Sequence, residues 1–440
     1  MLHSLNRHYI EPVRSFGRPA RLFLAMVIIN GVIFSTWQLF FNFYILQSGY
    51  TREFLGLVNA VPYASGLIFG IPLGRLSDRI GRRLSIILGL ALMGLFMLVQ
   101  VTARDSSWIV GSAFLYGIAY MLFVVSQAPL MAKISGVENR TMLFSLSYGL
   151  QTLAGSVGSL FAGQLPAVFG HLLEVGTHSA GAYQAVLVAS IVLGSTAIIP
   201  MWLMDESRSD SVQSNSQATG RAWGGAADPT EHSRLSPALL SLASKLTASQ
   251  LLIGFGAAIL IPYMNVFFKD TFGISDSLLG ILFSISALLI GVGSIIAPRL
   301  STVLGGKIRS VVVTQAGSLC FLLLCGFAPF LWLSAAGYLI RTALMNMASP
   351  LYSAFCMERT PEQHQGFVNS ILNITWTLGW AVGPFISGLV QEHYGFKPLF
   401  VATAILYGTA SAVIWHLFRR TEGLDVRRPG IAAPTVEFRE

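Results

Sequence analysis

Arg341 stands in an apolar run, with Tyr338-Leu339-Ile340 before it and Thr342-Ala343-Leu344 after it. A guanidinium stays charged and offers a rigid fork of donors, so it suits bidentate binding of a carboxylate or phosphate and cannot carry protons. It could also cap carbonyls where a helix breaks, or pair with an acid. Amides recur in similar runs: Asn30, Gln38 and Asn42, then Gln151, Asn265, Asn346, Asn369 and Asn373, the last followed by Trp376 and Trp380. Singly, such an amide reads as an interhelical hydrogen bond; as a set they read as the lining of a solvated path. Acids are placed differently. Glu53, Asp205, Asp270 and Asp276 stand only at the ends of apolar runs. Proton coupling through a deep carboxylate is therefore not expected, and would have to use Glu53, Asp270 or a group on the substrate. Cys320, Cys325 and Cys356 lie in apolar runs and read as small hydrophobes rather than metal ligands. No phosphate-binding G-x-x-x-x-G-K-[ST] loop occurs. ATP as energy source, a cofactor, a metal and a catalytic set are all unexpected.

The elements that must hold these residues are membrane helices. Of 440 residues, 53% are apolar and only 11% charged, against roughly 25% charged in a soluble domain. That excludes a cytosolic enzyme, a disordered regulator and a secreted disulfide scaffold. A bilayer core needs roughly 20 apolar residues per helix. Charge-free stretches occupy 22–51, 54–74, 84–103, 106–132, 141–170, 179–204, 247–268, 277–298, 310–340, 342–357, 366–390 and 398–415. The long stretch from 310 divides at Gly326-Phe327-Ala328-Pro329, which places Arg341 within a tenth span that begins near Trp332. Arg341 then lies roughly 14 Å in, at about 1.5 Å per residue. Twelve spans result, an all-α membrane protein. The first span is too long for a signal-peptide core and is expected to be retained.

Of 28 Lys and Arg residues, 23 fall in segments on the side of the termini, four (Arg52, Arg104, Lys269, Lys397) on the other side, and Arg341 within a span. The positive-inside rule then puts both termini in the cytoplasm of a multi-pass plasma-membrane protein, the inner membrane of a bacterial cell. The same rule explains the net charge of +8 without nucleic acid. Residues 205–243, rich in Ser, Gly, Ala and Asn, read as a flexible cytoplasmic linker. The expected organisation is a tail at 1–20, a six-helix bundle at 21–204, the linker, a second bundle at 244–418 and a tail at 419–440. The halves resemble each other. A shift of 225 pairs Ser145 with Ser370, Thr152 with Thr377, Gly158 with Gly383 and Gly163 with Gly388; a similar shift pairs Asn42 with Asn265 and Gly56 with Gly280. Two duplicated halves around a midplane site are an architecture of secondary transporters.

Between spans 2 and 3 the chain reads Gly74-Arg75-Leu76-Ser77-Asp78-Arg79-Ile80-Gly81-Arg82-Arg83. The loop resembles the G-x-x-x-D-[RK]-x-G-[RK]-[RK] motif of the major facilitator superfamily at every specified position. A degenerate copy follows span 8, where Gly305 and Lys307 remain but Thr302 replaces the acid. Physically, the glycines allow a tight turn, and Asp78 can accept from helix N-terminal N–H groups or pair with a neighbouring arginine. The arginines also act as topology signals.

The resemblance, which covers essentially the whole chain, implies the twelve-helix fold of that family in two pseudo-symmetric bundles. It implies that Gly74, Asp78, Arg79, Gly81, Arg82 and Arg83 latch the halves when the protein opens outward. It implies that spans 1, 4, 7 and 10 face a central cavity, spans 2, 5, 8 and 11 complete it, and spans 3, 6, 9 and 12 pack outside. Asn30, Gln38, Asn42, Gln151, Asn265, Arg341, Asn346, Asn373, Trp376 and Trp380 are the expected cavity residues. The expected function is alternating-access transport of a small organic solute, with export of amphipathic or anionic compounds first and metabolite uptake second. A lipid-translocating protein or a non-transporting receptor on the same fold is the alternative class. Expected partners are a small-molecule substrate, the lipid bilayer and a coupling ion (proton or sodium). The protein is expected to be a monomer.

Overall fold

The computed structural model describes residues 16–204, 237–361 and 364–425. Its regular elements among those residues are helices, and they occupy all twelve expected places. Spans 1 to 3 are Arg18–Gln47, Arg52–Ile80 and Arg82–Thr102. Spans 4 and 5 share one helical stretch, Ser106–Ala162, which bends by 41° into Leu165–Leu172. Span 6 is Ala180–Ser195 continued by Ile198–Trp202. Span 7 is Pro237–Leu260 followed by Met264–Phe272, joined through a tight turn at Ile261–Tyr263. Spans 8 to 12 are Asp276–Val303, Lys307–Phe327, Leu331–Arg359, Gln365–Tyr394 and Lys397–Asp425.

Among the described residues, nine helices are long and apolar enough to cross a membrane, or ten if the bent pair after Met142 counts as one. Spans 10 and 11 are as long as the others, at 29 and 30 residues. Arg341, Asn346, Asn369 and Asn373 make them too polar for that test. The stretch expected as a loop between spans 4 and 5 is helical; it contains no proline to break the backbone. Span 7 begins at Pro237, inside the stretch expected as linker. Residues 205–236 and both expected tails, apart from 16–20 and 419–425, lie outside the described residues.

Helix starts follow local chemistry. At the end of the bundle remote from the termini (the far end), Thr51, Asp105, Ser179 and Ser275 cap spans 2, 4, 6 and 8 by accepting a backbone N–H. At the end nearer the termini (the terminal end), spans 3 and 9 begin after Gly81 (φ +95°) and Gly306 (φ +154°). Only Gly81 makes the turn in the signature loop; Gly74 is interior to the helix of span 2 and turns nothing.

The repeat seen in the sequence becomes two matching helix crossings. Gly56 of span 2 packs on Gly388 of span 11, and Gly280 of span 8 packs on Gly163 at the end of span 5. A methyl on Gly56 would lie 2.6 Å from Pro384 O, and one on Gly163 would lie 2.8 Å from Asp276 O. Both crossings join one half to the other near the far end, and both need backbones closer than any side chain allows.

Candidate substrate cavity

A cavity of about 690 Å³ lies between the halves. That is within the range of pockets that bury a drug-sized ligand. Trp37, Tyr63, Tyr116, Tyr120, Trp376 and Trp380 supply an aromatic wall, and Gln38, Asn59, Gln151, Gln250 and Asn346 supply amides. Tyr63 of span 2 meets Trp380 of span 11 across the halves, with ring centroids 5.2 Å apart. Trp37 stacks on Phe41 at 4.3 Å.

A closed amide cluster forms the ceiling toward the far end. Span 7 breaks at Ile261–Tyr263 because Pro262 has no N–H. One turn on, Val266 N–H donates to Asn265 Oδ1 at 2.9 Å, and Pro262 O accepts from Asn42 Nδ2 at 2.6 Å. Asn42 Nδ2 also donates to Asn265 Oδ1 at 3.0 Å. Asn265 Nδ2 returns to span 1 at Leu39 O, 2.9 Å away, while Asn59 donates to Asn42 Oδ1 at 3.1 Å. Asn42 and Asn265, paired above as equivalents in the two halves, thus bond directly to each other. Buried amides fully paired in this way tie the halves rather than offer free groups to a ligand.

Further ties join the halves. Ser156 Oγ donates to Ser284 O at 2.9 Å, and Arg52 pairs with Asp270 at 2.7 Å. Asp276 of span 8 is buried and paired with Lys269, and it accepts from Tyr183 of span 6 at 3.1 Å. His178 Nδ1 lies 3.0 Å from the same carboxylate. The Lys269 ammonium sits 4.6 Å over the Phe43 ring. Toward the terminal end, lining residues such as Tyr148 and Ser349 are exposed. The cavity is closed on the far side.

Arg341 lines the cavity but is 96% covered, at 4% exposure. Its Nη2 donates to Tyr407 OH at 3.0 Å, its guanidinium carbon lies 5.6 Å from the centre of that ring, and its Nε has no partner. Among the described residues it has no acidic neighbour within ion-pair distance, and every other lining residue is uncharged. Of the expected cavity residues, Gln38, Asn42, Gln151, Asn265, Arg341, Asn346, Trp376 and Trp380 line it, while Asn30 and Asn373 do not. Asn373 is exposed and donates to Asn369 O at 2.9 Å, one turn back on its own helix.

Three lining residues come from spans expected to pack outside: Gln100 of span 3, Gln315 of span 9 and Tyr407 of span 12. Long side chains reach past the inner helices. The missed residues Asn59, Tyr63, Tyr116 and Tyr120 sit in spans 2 and 4, where the only signal was a polar group amid apolar neighbours.

The signature loop has its partners within its own half. Asp78 pairs with Arg82 across the Gly81 turn. Arg83 caps the last carbonyls of span 6, with Nε on Met201 O at 2.8 Å and Nη2 on Trp202 O at 2.6 Å. In the degenerate copy, Lys307 pairs with Glu358 at the end of span 10, so an acid from another helix stands where Thr302 offers none.

The family model described as Major Facilitator Superfamily matches residues 22–384 and 246–440. An uncharacterized MFS-type transporter of Methanocaldococcus jannaschii is 30% identical over 154 residues, 32% of this chain and 38% of that protein. The multidrug resistance protein MdtG of Proteus mirabilis is 27% identical over 161 residues, 35% of this chain and 39% of that protein. The chain therefore spans about two fifths of the length of these curated relatives. A bacterial homolog to the human lysosomal transporter Spinster, solved in an inward-facing and occupied conformation, matches with a TM-score of 0.71 at 15% identity, over 94% of this chain and 98% of that one. The nucleoside transporter NupG matches with a TM-score of 0.69 at 12% identity, over 92% of this chain and 99% of that one. At these identities the likeness to the solved structures is one of fold.

Proposed function

The chain belongs to the major facilitator superfamily, and from that premise we propose that it is a secondary transporter exporting an amphipathic organic anion by alternating access. One observation carries the substrate reading: a cavity of about 690 Å³ walled by aromatic rings, whose single charged lining residue among those described is Arg341, without an acidic partner. A buried cation lacking a carboxylate is stabilised by an anion entering the cavity. Among the described residues no acid stands in the lining to pair with a cationic drug. Export is the direction assigned because relatives with matching segments are multidrug resistance proteins. The 23 to 4 division of basic residues favours the terminal end in the cytoplasm, and in that orientation the cavity is reached from inside. Solute then crosses when the far-end ties open.

Binding to purified Arg341 variants tests this. Arg341→Lys keeps the charge and loses the fork, so it should weaken binding of 1-naphthoate while the protein stays folded. Arg341→Ala should abolish naphthoate binding and spare the neutral 1-naphthamide. Equal loss for both ligands, together with a large fall in melting temperature, would mean that Arg341 is a structural cap and would sink the substrate role.

A further inference from the structure

The guanidinium edge that Arg341 presents is half used. Nη2–H and Nε–H lie side by side on one edge of a guanidinium, the spacing that a carboxylate fills with both oxygens. Here Nη2 donates to the Tyr407 hydroxyl at 3.0 Å, a neutral acceptor with one oxygen, and the Nε beside it is buried with no partner. The flank formed by Leu260, Ile261, Met264, Leu322 and Cys325 brings no acid. Tyr407 belongs to span 12, is buried, and still reaches the cavity lining. Its span is anchored one turn further on, where Ser411 Oγ donates to Gln315 Oε1 at 2.9 Å. The aromatic wall of Tyr63, Tyr116, Tyr120, Trp376 and Trp380 lines the same space.

We propose that the Tyr407 hydroxyl holds the place of the substrate's anionic group on Arg341 in the empty transporter, and that the substrate class is an aromatic carboxylate, which displaces this hydroxyl and fills both donors. The proposal rests on the anion reading above and adds a residue that sets affinity against the ligand. A bidentate pair with an ionised acceptor replaces one hydrogen bond to a neutral acceptor and one unpaired donor, so exchange runs toward the carboxylate. Tyr407 is thereby a specificity element: a neutral ligand cannot repay the lost phenol contact and stays in the aromatic part of the cavity.

The test uses the full chain in nanodiscs at pH 7.5, with 1-naphthoate and 1-naphthamide as probes, read by calorimetry and melting temperature. Wild type should bind naphthoate the more tightly. Tyr407→Phe should lower the melting temperature of the ligand-free protein yet tighten naphthoate binding about three- to tenfold, leaving naphthamide within about twofold. Adding Arg341→Lys should erase that gain. A purely structural Tyr407 would lower stability without tightening any ligand. Naphthoate binding unchanged or weakened in Tyr407→Phe, with wild type still preferring naphthoate, overturns the place-holding role while the anion reading survives. A wild type that binds both probes equally overturns both. Should Tyr407→Phe fail to fold, 3-fluorotyrosine at position 407 of the otherwise unchanged chain reports directly: its fluorine resonance should shift with 1-naphthoate and stay put with 1-naphthamide, and no shift with naphthoate overturns the displacement.

Discussion

Asn265 illustrates how much a single side chain decides. Its amide donates to span 1 and accepts from Asn42, so Asn265→Ala leaves one of the two Asn42 Nδ2 hydrogens unpaired in a buried site, with only the bond to Pro262 O kept. A buried polar group left unsatisfied costs about 1–3 kcal/mol. The variant should melt lower and populate the state open at the far end more often, seen as faster labelling of a cysteine placed at Gln38 by a membrane-impermeant reagent confined to the far side. Unchanged labelling would mean that the amide cluster is not part of the closure. At this scale the sequence was legible where chemistry is unusual for a membrane helix: Arg341 and the Asn42–Asn265 pair stood out. Tyr63, Tyr116 and Tyr407 did not, because a tyrosine in a membrane span is equally at home in packing, at an interface or in a cavity. Asn30 and Asn373 show the converse; an amide's type does not say which way its helix face turns.

At the scale of elements, the two glycine crossings set how closely the halves approach. A methyl on Gly388 would stand 3.0 Å from Gly56 Cα. Gly388→Ala should force spans 2 and 11 apart at the far end and slow transport, whereas Gly74→Ala, with nothing within 4 Å of the added methyl, should have little effect. Equal flux in both variants would remove the crossings from the mechanism. The signature loop makes a different prediction. Asp78 pairs with Arg82 inside its own half in this conformation, so Asp78→Asn should spare the state described here and weaken the opposite one, cutting flux at normal expression. Full flux would reduce the loop to a topology signal, and Thr302→Ala should matter less in either case. Span number and the repeat were readable from hydropathy and glycine spacing. The helical connection between spans 4 and 5 was not, since Val137-Glu138-Asn139-Arg140 is polar enough for a loop yet contains nothing that forbids a helix. Nor was the turn at Ile261–Tyr263 foreseen, although Pro262 was its signal.

Across the whole molecule, closure depends on contacts that must break together. Asp276 and Lys269 belong to the second half, Tyr183 and His178 to the first, and Asp276 accepts from both halves. Asp276→Asn removes the charge that balances Lys269 at a buried position. Spin labels at the exposed far-end residues Leu173 and Tyr394 should then show a larger population of long distances. A distance distribution identical to wild type would show that the amide cluster and glycine crossings suffice for closure. The most direct test of the account as a whole is counterflow in proteoliposomes preloaded with unlabelled 1-naphthoate, with trace labelled naphthoate outside. A carrier that alternates access around an anion site at Arg341 predicts a transient accumulation of label above its outside concentration, lost in Arg341→Ala. Accumulation that persists undiminished in Arg341→Ala, or none in wild type, would contradict it.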